Sequence, residues 1–314
     1  MGSSNQQPRF RVAADLFDDW RSNVLTGEPP VRWPLGTGCF KQIEMGPGQV
    51  LLLGGAPGAG KTAFVMQLVT DGLRLTPKLR ALVCNVEMPP QVLLDRQLAR
   101  LSGIDATTIR QRRLGADEAE RIAQAMETLE AIAPRLAFVQ PPFDLENVAL
   151  AADSFEADLL VLDYAQRLGV PGRHGDKRSA VNALMSYIRQ FADRGVGLIV
   201  VAAVGRVKDK KGRSSYAADG LNLASFRESS EIEYGCDSAY LLIPSAGEKV
   251  IAKHVKNRHG PLEDLTLTFN RALQRFSDAG AGTAWAPDAA GRDQMQAALR
   301  ELWARTPPAG DKPD

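Results

Sequence analysis

Residues 50–69 have the sequence Val-Leu-Leu-Leu-Gly-Gly-Ala-Pro-Gly-Ala-Gly-Lys-Thr-Ala-Phe-Val-Met-Gln-Leu-Val. The apolar residues before the glycines predict a buried strand, and the apolar run after Thr62 predicts a helix. Between them, Gly55, Gly60, Lys61 and Thr62 match the pattern G-x-x-x-x-G-K-[ST]. Glycines at this spacing let backbone N–H groups point at one phosphate, and the positive end of the new helix adds to the attraction. An ordinary glycine turn can also match, but the strand–loop–helix context favours a loop that binds a nucleoside triphosphate.

The phosphate loop supplies the predicted contacts with ATP and its metal ion. Lys61 is expected to reach the β- and γ-phosphate oxygens, and the Thr62 hydroxyl is expected to ligate Mg²⁺. The predicted nucleotide-binding residues of the loop are Gly55, Ala56, Pro57, Gly58, Ala59, Gly60, Lys61, Thr62 and Ala63.

The composition fits one large α/β domain with short appendages, or two small domains. The chain has 314 residues, 44% of them hydrophobic, and a net charge of +1. Because the charge is balanced, any contact with nucleic acid must come from a local basic patch. Cysteines without metal-binding spacing, and the absence of an apolar run of about 20 residues, predict a cytoplasmic protein with no membrane contact.

Two acidic residues follow apolar runs that predict strands. Glu87 follows the segment 81–86, and Asp163 follows the segment 159–162. An isolated acid at a strand end is often a helix cap or a solvated group. Beside a phosphate loop, Glu87 is instead predicted to deprotonate the water that attacks the γ-phosphate, and Asp163 to hold Mg²⁺.

Strand and helix patterns alternate along the chain after the phosphate loop. The alternation predicts an α/β fold, with a mainly parallel sheet and helices on both of its faces. Turn-rich sequence between the strands predicted at 238–243, 249–255 and 265–269 indicates antiparallel strands at the C-terminal end, the last of them closing the core. The nucleotide is expected at the carboxyl ends of the parallel strands, where Glu87 and Asp163 also lie.

Two segments outside this alternation have two interpretations each. Residues 10–25 carry apolar side chains at helical spacing, and this amphipathic helix packs either on its own domain or on a neighbouring subunit. Residues 206–213 form the densest basic run, which is either a solvated loop or a contact with a nucleic-acid backbone. The predicted nucleic-acid contacts in this run are Lys208, Lys210 and Lys211.

Several motifs together resemble those of the DnaB-like replicative helicases, whose motor is a RecA-type ATPase domain. Residues 85–89, Asn-Val-Glu-Met-Pro, resemble that family's S-L-E-M-P, and residues 163–166, Asp-Tyr-Ala-Gln, resemble D-Y-L-Q. Residues 226–233 resemble L-R-E-S-G-x-I-E, and residues 256–261 resemble K-x-R-x-G-P. The motifs follow one another in the family's order, which is more specific than a single phosphate loop.

The resemblance implies a RecA-like P-loop NTPase that forms a homo-oligomeric ring, a hexamer, with ATP at the subunit interfaces. Glu87 would be the catalytic base. Arg258 would be a finger placed into the neighbour's ATP site, with Lys256 beside it, and Arg96 would belong to the nucleotide site.

The resemblance also implies an activity, DNA contacts and partners. Arg227, Glu228 and Ser230 would lie in the loop that follows single-stranded DNA through the ring. The implied enzyme is an ATP-dependent DNA helicase or single-strand translocase acting 5′–3′ in replication, with a loader or a primase as partner. The implied division of the chain has three parts: a disordered start plus a linker helix against the next subunit over 1–34, the motor over 35–276, and a linker, short helix and disordered tail over 277–314.

Three departures from the family's pattern keep a second function open. Residues 202–203 are Ala-Ala where the family has S-Q, whose glutamine senses the γ-phosphate. Ser230 replaces the last glycine of R-E-S-G, and we expect the family's N-terminal helical domain to be missing. The missing glutamine and the missing N-terminal domain favour a RecA-type ring ATPase that acts as a switch, loader or scaffold without unwinding. A small-molecule kinase would leave the motif at 256–261 unexplained.

Overall fold

The computed structural model describes residues 11–172, 177–204, 207–208, 214–215 and 235–279. The chain divides into two units, one made of Met1–Pro30 with Thr283–Asp314 and one made of Val31–Gly282. The motor boundaries given by the resemblance, 35 and 276, stay a prediction.

Helix α1 (Ala14–Thr26) belongs to the first unit and contains no buried residue. Leu16, Phe17 and Trp20 are 40%, 52% and 52% exposed, and the Phe17 and Trp20 ring centroids lie 5.3 Å apart. A helix with an exposed apolar face therefore covers most of the segment 10–25 and ends one residue beyond it, and its docking on a neighbouring subunit stays a prediction.

The second unit is built around one large sheet. Among the described residues, nine strands run in the order β11-β10-β9-β8-β1-β5-β4-β2-β3, and β6 pairs separately with β7. The strand bounds are β1 (Val50–Gly55), β2 (Ala81–Asn85), β3 (Leu136–Phe138), β4 (Leu159–Asp163), β5 (Gly197–Val201), β6 (Val207–Lys208), β7 (Ser214–Ser215), β8 (Ser238–Pro244), β9 (Lys249–Asn257), β10 (Leu265–Asn270) and β11 (Arg275–Asp278).

The pairing of neighbouring strands changes once across the sheet, from parallel to antiparallel. Strands β3, β2, β4, β5, β1 and β8 are all parallel, whereas β9, β10 and β11 follow as antiparallel neighbours. The predicted fold class is confirmed, but β10 does not close the core as the sequence suggested. Strand β11 pairs beyond it, because the turn at 271–274 brings Phe276 opposite Phe269.

Helices cover both faces of the sheet, as predicted. Their bounds are α2 (Lys61–Leu75), α3 (Pro90–Ser102), α4 (Ala106–Arg110), α5 (Ala119–Ile132), α6 (Leu145–Phe155) and α7 (Lys177–Asp193). Alternate residues of a strand point to opposite faces. Leu51 and Leu53 accordingly pack in the cluster that contains α2, and Val50 and Leu52 pack in the cluster that contains α6 and α7. No helix of the described residues is long and apolar enough to cross a membrane.

The registers of the parallel strands bring four carboxyl ends together. Asn85 at the end of β2 pairs with Asp163 at the end of β4, and Asp163 pairs with Val201 at the end of β5. Val201 in turn lies opposite Leu53, two residues before β1 ends at Gly55. The phosphate loop therefore starts beside the residues that follow β2, β4 and β5.

Candidate active site

The phosphate loop links β1 to α2, as the sequence predicts. Gly58 and Gly60 adopt φ angles of +75° and +88°, which glycine accepts without strain. A Cβ atom on Gly60 would lie 2.7 Å from the Phe269 ring and 2.9 Å from the Phe276 ring. Because these buried rings stack with their centroids 4.2 Å apart, they leave no space for a side chain at position 60.

Lys61 begins α2 and points its ammonium group back into the loop. Its Nζ donates to the carbonyl oxygens of Gly55 at 2.9 Å and Ala56 at 3.0 Å. Burial lowers the pKa of Lys61, and the negative charges of Asp163 and Glu87 oppose that shift. A buried ammonium group enclosed by loop carbonyls fits the predicted contact with a phosphate.

Thr62 and Asp163 form the part of the site predicted to hold Mg²⁺. The Thr62 hydroxyl donates to Oδ2 of Asp163 at 2.7 Å. Burial raises the pKa of Asp163, and the Thr62 hydrogen bond and the charge of Lys61 oppose the shift. Oδ1 of Asp163 is buried and has no hydrogen-bond partner among the described residues. A hydroxyl and a carboxylate with an unused oxygen are ligands that Mg²⁺ accepts, so these residues fit the ion.

Asn85 connects Asp163 to Glu87, and the sequence analysis did not single it out. Its Nδ2 donates to Oδ2 of Asp163 at 2.7 Å. Its Oδ1 accepts the backbone N–H groups of Glu87 at 3.0 Å and Met88 at 2.8 Å. The available signal was its place in the motif at 85–89, where the family has a serine. Asn85 therefore fixes the turn that carries the predicted base.

The Glu87 carboxylate lies at the same edge of the sheet and is paired with a basic residue. Nη1 of Arg167 lies 3.2 Å from Oε1 of Glu87, and the two side chains are 61% and 36% exposed. An ion pair this exposed to water contributes about 0–1 kcal/mol. The pair therefore opens at low cost, which leaves the carboxylate available to a water molecule.

Arg96, predicted from the family motif, lies on α3 within the field of Asp163. Burial lowers the pKa of Arg96, and the charge of Asp163 opposes the shift. Arg96 lines a cavity of about 240 Å³ with Arg110, Arg271 and Gln274. Nη1 of Arg271 donates to the carbonyl oxygen of Gly58 at 2.8 Å, so this cavity adjoins the phosphate loop. Sequence reasoning missed Arg271, which follows the end of β10.

Ala203, which stands where the family has its sensing glutamine, is contacted by a glutamine from another strand end. The Ala203 N–H donates to Oε1 of Gln166 at 3.2 Å. Nε2 of Gln166 is buried and has no partner among the described residues. An amide side chain therefore does lie at the carboxyl end of β5, but it comes from the loop after β4.

Arg258, the predicted finger, lies at the opposite end of the sheet from the phosphate loop of its own chain. Its backbone N–H donates to the carbonyl oxygen of Asp237 at 2.8 Å, and the N–H of Asp237 donates to the carbonyl oxygen of Val50 at 2.8 Å. Val50 begins β1 and Gly55 ends it, about 17 Å further along at the usual strand rise. Lys256 lies on β9 opposite Ala239 near the same end.

The predicted DNA contacts lie on β6 or outside the described residues. Lys208 belongs to the short strand β6, whose backbone alone is described. The others lie outside the described residues: Lys210, Lys211, Arg227, Glu228 and Ser230.

Comparison with known proteins identifies relatives in sequence. Residues 43–278 match the family model of the DnaB-like helicase C terminal domain. The replicative DNA helicase DnaB of Buchnera aphidicola subsp. Schizaphis graminum is 22% identical over 254 residues, covering 76% of this chain and 53% of that protein. DnaB of Pasteurella multocida is 24% identical over 255 residues, with the same coverage. A probable plasmid replicative DNA helicase of Chlamydia trachomatis is 21% identical over 242 residues. The chain thus spans about half the length of the curated relatives it matches.

Solved structures show the same fold. A solved ATPase domain superposes with a TM-score of 0.72 at 15% identity, covering 87% of this chain and all of that one. A DnaB-like replicative helicase, studied together with its interactions with primase, superposes with a TM-score of 0.73 at 15% identity, covering 88% of this chain and 69% of that one. These likenesses establish a RecA-like ATPase fold. Together with the family match over three quarters of its length, they show that the chain belongs to the family of DnaB-like helicase C-terminal domains.

Proposed function

We propose that this chain is the ATP-hydrolysing motor of a DnaB-type DNA helicase or single-strand translocase that works as a ring in replication. One observation carries the proposal. Lys61, Thr62, Asp163 and Glu87 converge at one edge of the sheet, next to the phosphate loop, in a chain of this family. The motor itself is proposed to extend over residues 35–276.

Each residue at this edge has a role in hydrolysis. The loop N–H groups and Lys61 bind the β- and γ-phosphates of ATP. Thr62 and Asp163 would hold Mg²⁺, which neutralises phosphate charge when bound. Glu87 accepts a proton from water as the water oxygen attacks the γ-phosphorus, and the bond to ADP breaks. Arg96 and the cavity it lines extend the proposed nucleotide site beyond the phosphates.

Arg258 is proposed to act on the ATP of the neighbouring subunit. Its position supports a role in trans, since no arginine side chain spans the length of β1 to reach the chain's own phosphates. A guanidinium group brought in from a neighbour neutralises charge developing on the γ-phosphate, and Lys256 adds positive charge on the same strand. Hydrolysis then depends on ring contacts, for which a hexamer is the proposed form.

The linker helix and the DNA contacts belong to the same proposal. The apolar face of α1 is proposed to pack on the next subunit in the ring, because Leu16, Phe17 and Trp20 are exposed. The basic run 206–213 and the segment 226–233 are proposed to follow single-stranded DNA in the 5′–3′ direction. A loader or a primase is the proposed protein partner.

A second function, a ring ATPase that acts as a switch, loader or scaffold without unwinding, is favoured by Ala203. A methyl group there cannot hydrogen-bond a γ-phosphate, so the link between ATP state and DNA loops depends on another residue.

Steady-state ATP hydrolysis with and without single-stranded DNA, at two salt concentrations, separates the two functions. The helicase proposal expects DNA to stimulate turnover, with stimulation that falls steeply as salt rises, because the contacts are to phosphates. Glu87→Gln measures the background hydrolysis. Turnover that ignores DNA at both salt concentrations overturns the helicase proposal in favour of the ring ATPase.

A further inference from the structure

The side chain of Asp237 is the contact that holds Arg258. Its Oδ1 accepts a hydrogen bond from Nη1 of Arg258 at 2.7 Å. The Asp237 side chain is only 7% exposed, whereas that of Arg258 is 49% exposed. The guanidinium group thus lies half in solvent, with one nitrogen anchored to a buried carboxylate.

Asp237 is itself fixed from three directions. Its Oδ2 accepts the Val50 N–H at 2.9 Å and lies 3.3 Å from Nη1 of Arg189 on α7. Its backbone N–H and carbonyl bond to Val50 and Arg258. A buried carboxylate tied to the first residue of β1 is a rigid support, because the central strand cannot shift without the rest of the sheet.

The anchoring leaves the other donors of Arg258 available. A guanidinium group carries five N–H donors in a planar fork. Among the described residues, only Nη1 of Arg258 makes a side-chain hydrogen bond. The donors on Nη2 and Nε therefore have no side-chain acceptor within the described part of the chain, and the half-exposed side chain can offer them to a further acceptor. Charge-assisted bonds at this distance restrict a long side chain that would otherwise sample many rotamers.

We infer that Asp237 is the positioning residue of the arginine finger: it holds Arg258 in a pre-organised direction for the phosphates of the next subunit's ATP. The inference rests on the proposed action of Arg258 in trans. It assigns Asp237 no contact with ATP. Its effect on turnover is expected to arise entirely through Arg258. Because Asp237 already restricts the Arg258 side chain, less conformational entropy is lost when that side chain engages the neighbour's ATP.

Asp237→Asn tests this support while keeping the shape of the side chain. The single amide oxygen can still accept the buried Val50 N–H, so the amide NH₂ then faces Arg258 and cannot bind it. We expect kcat for ATP to fall about tenfold, with KM and the affinity for a fluorescent ATP analogue within about twofold of wild type. In Arg258→Ala, kcat should fall further, roughly 10³-fold, because this variant removes the finger itself. In Arg189→Gln, kcat should stay within about twofold of wild type, because the shorter Val50 N–H bond still fixes the carboxylate and the Arg258 contact is unchanged.

Mixing subunits separates a finger defect from a general defect. Glu87→Gln subunits cannot hydrolyse ATP but carry an intact finger. Added to Asp237→Asn subunits, they should raise ATP turnover per Asp237→Asn subunit, because some sites then receive a well-placed arginine. Added to Arg258→Ala subunits, they should do the same. In the double variant Asp237→Asn/Arg258→Ala, turnover should equal that of Arg258→Ala alone.

Failure of each idea has its own result. If Arg258→Ala is rescued in mixed rings and Asp237→Asn is not, or if the double variant is clearly slower than Arg258→Ala, the positioning role of Asp237 is wrong while the trans finger stands. If Arg258→Ala is not rescued, the trans finger is wrong, and the inference is overturned with it. If thermal unfolding shows that Asp237→Asn does not fold, Asp237→Glu replaces it, because that variant keeps the charge and displaces it by one methylene. The same kcat loss and the same rescue in mixed rings are then expected of Asp237→Glu.

Discussion

The Asn85 amide is held between Asp163 and the backbone that carries Glu87. Its Nδ2 lies 2.7 Å from Oδ2 of Asp163, and its Oδ1 accepts two consecutive backbone N–H groups. One buried amide thus sets the relative positions of the predicted metal ligand and the predicted base. Since an amide is the side chain of this size that both donates and accepts, few replacements can do the same.

Exchanging the Asn85 amide for a carboxylate should disrupt the site. Asn85→Asp removes the donor to Asp163 and puts two carboxylates about 3 Å apart, so one of them must take up a proton. We expect kcat for ATP to fall at least about tenfold and the unfolding free energy to fall by about 1–3 kcal/mol. Asn85→Ser, the family's residue, keeps an acceptor for the turn and should stay within about threefold. Equal kcat for wild type and Asn85→Asp would contradict the linking role.

Neutralising Glu87 should stop turnover without preventing nucleotide binding. Glu87→Gln keeps the size of the side chain but cannot accept a proton from water, so we expect at least a 10²-fold lower kcat. Affinity for a fluorescent ATP analogue should change less than about threefold. Arg167→Ala is the matched control, because it removes the ion-pair partner and leaves the carboxylate. Retained turnover in Glu87→Gln would show that another group is the base.

Two glycines of the phosphate loop should differ sharply in their tolerance of alanine. Gly60→Ala places a methyl group 2.7 Å from the stacked Phe269 ring at a φ of +88°, whereas Gly58→Ala meets no atom within 4 Å at a φ of +75°. We expect Gly58→Ala to lower the free energy of unfolding by about 1 kcal/mol through backbone strain alone. Gly60→Ala should lower it by several kcal/mol, because overpacking adds to the strain. Urea unfolding measures both. Similar losses would mean that the rings move aside.

His254 should make stability depend on pH. It is buried between strands, its Nε2 lies 2.9 Å from the Ser238 hydroxyl, and its Nδ1 accepts the Glu263 N–H at 3.2 Å. Burial lowers the pKa of His254. In the unfolded chain a histidine has a pKa of about 6.5, so the unfolded state binds more protons below that pH. The stability contributed by the neutral ring is therefore complete above pH 6.5 and is lost as pH falls toward the folded pKa.

The matched control for this pH dependence is a histidine five residues away. We expect the thermal midpoint of wild type to fall between pH 7.5 and 5.5 by more than that of His254→Asn, which cannot take up the proton. His259 is exposed, so His259→Asn should keep the wild-type dependence. If His254→Asn loses as much stability on acidification as wild type does, another group is responsible.

The sequence predicted best the parts of the site that lie close together in the chain. The phosphate loop is one continuous segment in which glycine spacing and helix start are both visible, so Gly60, Lys61 and Thr62 needed no tertiary information. The sequence singles out Glu87 and Asp163 as candidates because each directly follows an apolar run that predicts a strand. The structure brings them to the same edge of the sheet through strand register, which the alternation of strands and helices implies.

The residues that sequence reasoning missed act through contacts between distant segments. In the sequence, Asn85 resembles any polar residue at a strand end, and only the structure shows that it contacts Asp163. Asp237 is one of 37 acidic residues, and only the structure shows that two arginines contact its carboxylate. Arg271 touches Gly58 across 213 positions of sequence. Strand β11 has a single buried apolar residue, Phe276, so its sequence lacks the alternation of apolar and polar residues that predicts a strand.

The stacked rings of Phe269 and Phe276 beneath Gly60 have a consequence for folding during synthesis. Phe276 stacks under the phosphate loop, and its backbone exchanges two hydrogen bonds with the buried Gln67 side chain, 209 residues earlier. During synthesis from the amino terminus, the phosphate loop is complete long before Phe276 has left the ribosome. Contacts this remote in sequence form late and slow folding. A nascent chain that ends before β11 would therefore carry the whole phosphate-loop sequence without Phe276 beneath Gly60, and we expect the proposed ATP site to form only after β11 has been translated.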